Sequence, residues 1–102
     1  MTIKKKSQKY IVRCDRAGVF YGEIKERKGD EVTMINVRKI WCWRGANAVE
    51  ELAMNGSALI GECNITVTVP EMTVMQAIQV IPCTDKAVAN LDSAKEWTYA
   101  RH

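Results

Sequence analysis

Few side chains in this sequence are equipped for catalysis, and their placement narrows the chemistry they could do. The 102 residues contain one histidine, His102, at the very end, which leaves the body of the chain without an imidazole acid or base. Cys14, Cys42, Cys63 and Cys83 stand far apart with no Cys-x-x-Cys pair. A thiolate nucleophile needs an adjacent base or a cationic neighbourhood, and zinc would need a ligand set gathered wholly from distant cysteines. The expectation is reduced thiols, several of them at apolar strand positions where cysteine packs as a small hydrophobe. Glu23 with Glu26 and Glu50 with Glu51 are the carboxylates that could share a site, but solvated strand faces and helix capping account for them without chemistry. No phosphate loop, nucleophile elbow, dinucleotide fingerprint or His-Glu-x-x-His pattern occurs. The sequence therefore points away from an enzyme and calls for no cofactor and no metal. A carboxylate- and metal-dependent hydrolase is the residual alternative.

One local cluster stands out. Trp41-Cys42-Trp43-Arg44-Gly45-Ala46 gathers two indoles and a guanidinium where a strand runs into a helix. Alternation along the strand predicts Trp41 and Trp43 on one face, with Ile40 and Cys42 on the other. Flat aromatic surfaces beside an arginine hold a nucleobase by stacking, and the arginine with the amides of a helix start holds a phosphate. Trp41, Trp43, Arg44, Gly45 and Ala46 are thus the candidate ligand-binding residues. The competing reading puts one or both indoles in the core or in a contact between proteins, where tryptophan is enriched.

The surrounding pattern supplies the elements that would position this cluster. Tyr10, Val12 and Cys14 alternate with Ile11, Arg13 and Asp15 as a first strand, and a turn at Arg16-Ala17-Gly18 leads into a second strand over Val19 to Arg27. Lys28-Gly29-Asp30 forms a tight hairpin into Glu31 to Val37, and the extended stretch continues from Arg38 to Trp43. Asn47 with Glu50 three residues on reads as a capping box, Val49, Leu52 and Ala53 as the apolar stripe of a short helix, and Asn55-Gly56 as its stop. Cys63, Ile65, Val67 and Val69 alternate with polar residues as a strand with one buried face, ended by Pro70. Met72 to Ala77 is compatible with a helical turn begun by Thr73, and Ile78 to Ile81 reads as a short core strand stopped by Pro82. Thr84 caps a final helix whose stripe is Ala87, Val88 and Leu91, and Trp97 is expected to pack back on the body. The fold class is α+β: a small twisted antiparallel sheet, or a partly open SH3-like barrel, with two short helices packed on one side.

The chain length suits a single domain. Its organisation reads as a basic flexible N-terminus over 1–9, one α+β domain over 10–97 and a tail over 98–102. Fifteen Lys and Arg face twelve Asp and Glu, a net charge of +3, and Lys4, Lys5, Lys6 and Lys9 carry much of the excess. The domain itself is close to neutral, which argues against a duplex-DNA binder with its dense basic face. Neither a secretory h-region nor a membrane-length apolar run is present, so a cytoplasmic protein without membrane contact is expected.

Gly18-Val19-Phe20-Tyr21-Gly22-Glu23, the Gly29 hairpin, Trp41 to Ala46, Leu52-Ala53, Cys63, Val67-Thr68-Val69-Pro70 and Ile81-Pro82-Cys83-Thr84 together resemble a family of small proteins from tailed phages and prophages, a domain of unknown function. The likeness runs from Tyr10 to Trp97. It departs at Cys42, commonly aromatic in the family, and at Arg44, commonly small and polar, which weakens Arg44 as a general ligand contact. The resemblance brings no catalytic residues. It implies a non-enzymatic accessory protein, cytoplasmic in a bacterial host, that binds a small molecule, such as a nucleotide sequestered against host defence, or a host protein. A homo-oligomer with Trp41 and Trp43 near the binding surface fits the same setting. The alternatives are a small barrel binding nucleic acid and a structural or virion-associated protein.

Overall fold

The computed structural model describes residues 8–99. Strands β1 (Lys9–Cys14), β2 (Gly18–Lys28) and β3 (Glu31–Cys42) form a meander, followed by helix α1 (Val49–Asn55) and a 3-10 turn (Ile60–Glu62). The short β4 (Asn64–Ile65), β5 (Val69–Val74), β6 (Ala77–Pro82) and helix α2 (Asp85–Asp92) complete the described chain. Every pairing is antiparallel, in the order β4-β3-β2-β1-β6, with β5 also on β3. The long β3 serves both: Val32 to Val37 face β5, and Ile40 and Cys42 face β4.

The sheet has to curl. β5 and β6 lie on opposite edges, yet only Met75 and Gln76 separate them. Three peptide steps from Val74 to Ala77 reach at most about 11 Å, whereas the four spacings of a flat β5-β3-β2-β1-β6 sheet amount to about 19 Å. The corner is tied to both turns of the meander, with the Asp15 N–H donating to Gln76 O at 2.9 Å and the Ala77 N–H to Asp30 O at 2.9 Å. Gly22 sits where the β2–β3 register shifts, and a Cβ there would come within 2.8 Å of Val37 Cα. A side chain at this bend would push the two strands apart.

Curling gives the sheet two buried faces. Val12, Cys14, Phe20, Val32, Met34, Val37 and Val74, contributed by strands alone, fill the inside of the curl. Ile11, Val19, Tyr21 and Ile40 form the outer face, covered by Val49, Leu52 and Ala53 of α1 and by Ala87 and Leu91 of α2. Both helices thus pack on one side of an open antiparallel sheet, and the fold is α+β as the sequence pattern predicts.

Polar contacts seat the second helix. Thr84 Oγ1 accepts from the Ala87 N–H at 3.1 Å and donates to Met54 O at 2.6 Å, and its own N–H donates to Ala53 O at 3.0 Å. One threonine therefore caps the start of α2 and satisfies carbonyls at the end of α1. At the other end, Tyr21 and Arg38 are cross-strand partners on the outer face. The Tyr21 hydroxyl donates to Asp92 at 2.7 Å. Arg38, only 6% exposed, donates to Thr66 O at 2.9 Å, Ile65 O at 3.2 Å and Leu91 O at 3.4 Å. Its charge thus meets the negative end of α2 as well as the backbone around β4.

Several expectations require correction. The strand expected over Cys63 to Val69 is only the two-residue β4; Val67 is exposed, and Pro70 does not end a strand but lies inside β5. Proline is tolerated there because β5 pairs on one side only. Thr73 starts no helical turn: its hydroxyl faces that of Thr33 across the sheet at 3.1 Å, because pairing with β3 overrides the local preference. Ile78 is exposed rather than in the core, since β6 is an edge strand beside β1. The helix cap falls one residue later than expected, at Ala48, and Glu51 in place of Glu50 accepts from the Asn47 N–H at 2.8 Å. Lys9 belongs to β1 and pairs with Asp92 at 2.9 Å, whereas Lys4 to Lys6 and His102 lie outside the described residues.

Removing the Arg38 guanidinium takes a charged donor from three buried or half-buried carbonyls at once, of which Ile65 O and Leu91 O keep the Trp97 and Ala94 N–H groups while Thr66 O loses its side-chain donor. Arg38→Met is expected to lower unfolding stability by about 3 kcal/mol, against about 1 kcal/mol for Thr84→Ala. Urea denaturation of both variants measures this, and a loss below that of Thr84→Ala would remove Arg38 from its anchoring role.

Candidate functional site

The Trp41 to Ala46 segment does not form one platform. β3 ends at Cys42, and its register with β4 shifts between Ile40 and Cys42, so alternation does not carry through to Trp43. Trp41 is 58% exposed and stacks on Trp97, with ring centroids 5.0 Å apart and planes inclined by 16°. The Trp97 N–H donates to Ile65 O at 2.8 Å, which brings the segment after α2 back onto β4. Trp43 is instead half-buried and packs against the outer core that contains Ile40. The two indoles expected to act together serve different surroundings.

Arg44, Gly45 and Ala46 shape the path of the chain. The Arg44 side chain is largely exposed and pairs with Glu62 at 3.5 Å. Its carbonyl accepts from the Ser57 hydroxyl and from the Cys63 thiol. Gly45 has φ +84° and accepts through its carbonyl from the Ala58 N–H at 3.1 Å, and a Cβ on it would lie 2.5 Å from Leu59 N. Only glycine permits so close a crossing. The opposing loop is itself fixed by Asn90 of α2, which accepts from the Ser57 N–H at 2.8 Å and donates to Ser57 O at 2.9 Å. Ala46 packs partly buried on the outer core. These contacts turn the chain sharply after Trp43 and bring Asn47 to Glu50 back over the sheet.

Between that returning segment and the sheet lies a groove of about 260 Å³, lined by Arg13, Val19, Trp43, Asn47, Ala48, Val49 and Glu50. Its floor belongs to a ladder across four strands, in which Arg13 faces Gln79 of β6 on one side and Val19 on the other, and Val19 faces Ile40. Gln79 Nε2 donates to Glu50 Oε2 at 2.8 Å, and this bond holds the Glu50 carboxyl below its ordinary pKa. The groove therefore combines an indole, an aliphatic floor, a guanidinium and a carboxylate that stays ionised at neutral pH. A recess of about 350 Å³ lined by Ile60, Gly61, Cys63, Ser93, Ala94 and Lys95 has a single charged side chain and no ring. Another of about 140 Å³ is lined by Glu26, Lys28, Glu31, Thr33 and Thr73, with no aromatic side chain in that lining.

The phosphate seat expected at the start of α1 meets a poor environment, because Glu50 and Glu51 occupy the first turn. Sequence reasoning missed Arg13 and Glu50 as groove residues. Arg13 shares the face of Ile11 by strand alternation, which was a usable signal; the approach of Glu50 to Gln79 depends on the fold of the loop and had none.

Most of the remaining reactive groups are buried in the structure. Cys14, Cys63 and Cys83 are buried, whereas Cys42, at an exposed strand end, departs from the apolar placement. Burial, reinforced by the charge of Asp92, pushes the Cys83 thiol up to about 12, and burial also raises Cys14. Tyr21 is raised by burial and by its bond to Asp92. Among the described residues no three His, Cys, Asp or Glu side chains are grouped as metal ligands, and no helix is long and apolar enough to cross a membrane.

A curled antiparallel sheet with two helices on its outer face and a small mixed-polarity groove at their margin defines a compact α+β domain. The chain belongs to the family described as Domain of unknown function (DUF6948), whose model matches residues 7–91. No curated protein and no solved structure matches it.

The burial differences set thiol reactivity. At pH 8 an alkylating reagent is expected to label Cys42 rapidly, with Cys14, Cys63 and Cys83 labelled at least tenfold more slowly until the chain is unfolded. Peptide mass spectrometry reads the order, and rapid native labelling of Cys83 would contradict its burial.

Proposed function

We propose that this chain is a non-catalytic binding protein whose groove at Trp43 seats a small planar, polar ligand. One observation carries this reading: Trp43, Arg13 and Glu50 share the lining of a groove whose floor includes Val19. An indole face with an aliphatic floor favours a flat ring, and charges of both signs at its margin suit a ring with donors and acceptors along its edge. The commitment of the carboxylates to structural partners, as with Glu51 on Asn47 and Asp92 on Tyr21, and the suppressed ionisation of Cys83 support a binding role over a catalytic one. In keeping with the resemblance to phage and prophage proteins, the role proposed is an accessory protein in the cytoplasm of a bacterial host that withholds a small molecule, with nucleotides as the leading class.

A second reading concerns protein partners. The stacked Trp41 and Trp97 are 58% and 44% exposed, and exposed tryptophans of this kind anchor contacts between proteins, here a host protein or a second copy of the chain.

Thermal-shift screening against nucleotides tests the first reading. A ligand at a hundredfold over its Kd stabilises by about 2.7 kcal/mol, a rise of roughly 10–20 °C in Tm for a domain of this size. Trp43→Ala is expected to abolish the shift while retaining the circular dichroism of the parent, and an unchanged shift in Trp43→Ala would overturn the groove as the seat. For the second reading, native mass spectrometry is expected to lose any complex on Trp41→Ala combined with Trp97→Ala, and a complex that survives both excludes this surface.

A further inference from the structure

Building on the groove at Trp43 as the ligand seat, we infer that its ligand is a guanine base, read along its edge by Arg13 and Glu50. The two side chains line one small groove, yet no ion pair joins them among the described residues. Glu50 is held from the sheet by Gln79, and Gln79 is the cross-strand neighbour of Arg13. The guanidinium makes no side-chain hydrogen bond among the described residues, so its donor fork is available, and Glu50 keeps one carboxylate oxygen clear of the Gln79 bond. The groove thus offers a fork of donors and an ionised acceptor, beside an indole and over Val19.

Few flat rings match that pair. Guanine carries two adjacent acceptors, O6 and N7, which suit an arginine fork, and next to them the N1–H and N2–H donors, which suit a carboxylate. Adenine offers its fork-facing edge one acceptor and one donor, and its N1 is an acceptor that a carboxylate repels. Uracil has a single ring N–H, and cytosine, although its N3 and O2 are adjacent acceptors beside the N4 amino group, has no ring N–H to give the carboxylate a second donor. The preference arises mainly by exclusion, since an acceptor that ligand binding strips of water and leaves facing another acceptor costs more than a missing contact. The sugar is attached at N9, across the base from N1, so it and anything attached to it would extend away from the edge that Glu50 reads.

Trp43 fluorescence in a Trp41→Phe, Trp97→Phe background, together with calorimetry, tests the inference with guanosine, GMP, inosine, adenosine and cytidine. Guanosine and GMP are expected to bind within about threefold of each other, because the base is what is read. Inosine, lacking the N2 amino group, and cytidine, lacking the ring N–H, are each expected to bind roughly fivefold to tenfold more weakly, and adenosine at least about a hundredfold more weakly. Glu50→Gln is expected to weaken guanosine at least tenfold with an unchanged melting temperature, as its amide presents a donor where N1–H needs an acceptor. Equal binding of guanosine and adenosine, or an unchanged guanosine affinity in Glu50→Gln, overturns the base assignment. If another compound binds through Trp43 and no guanine compound does, the base assignment falls and the binding role of the groove stands. If Trp43→Ala leaves all binding intact, the groove itself is lost as the seat.

Discussion

Met75 and Gln76 are the constraint from which the rest of the architecture follows. A two-residue link between the opposite edges of a sheet cannot be made unless the sheet bends until those edges approach one another, and the bend decides what every strand must bury. The inside of the curl is closed off from water, which explains why Val12, Phe20, Met34 and Val74 are apolar without any helix covering them. The outer face is left with Ile11, Val19, Tyr21 and Ile40 exposed by the same bend, and it needs both helices as a lid. β1 and β2 are consequently buried on both faces over their central residues. That pattern is uncommon for antiparallel strands, which more often have one wet side.

The outer face solves a second problem. α1 is seven residues long and α2 eight, too short to hold their shape without packing. Their ends expose carbonyls and amides that must be satisfied in place, and three side chains do most of this: Thr84 between the helices, and Tyr21 and Arg38 beneath the end of α2. Asn90 extends the same helix outward by gripping both backbone groups of Ser57, against which the chain at Arg44 and Gly45 is laid. The groove margin is therefore rigid through a chain of contacts that starts from α2, although no residue of α2 lines it.

Much of the fold is legible from the sequence because it is local. The β1–β3 meander, the Gly29 turn, the Thr84 cap and the apolar stripes of both helices depend on neighbours a few residues away. What is not legible depends on distant pairing. β5 reads as a broken segment because Pro70 and Thr73 look like stop and cap signals, and only the presence of β3 alongside makes them strand residues. Arg38 carries a charge at a position whose face, shared with Ile40, is buried; the alternation marks that conflict, but the carbonyls that resolve it come from residues 65, 66 and 91. The candidate site divides the same way. Trp43, Gly45 and Ala46 stand out by type, whereas the parting of Trp41 from Trp43 arises from a register shift that no local pattern announces.

The pairing of β1 with β6 has a bearing on how the groove comes into being during synthesis. Ile11 faces Ile81 across some seventy residues of chain, so the meander can assemble from near neighbours while its outer strand edge is still bare, and contacts of such long sequence separation close last. Gln79, which sets the position of Glu50 beside Arg13, arrives with that final closure. A nascent chain that already contains Arg13, Val19, Trp43 and Glu50 thus possesses every charged and aromatic wall of the groove, but Glu50 gains its support from Gln79 only once β6 has left the ribosome.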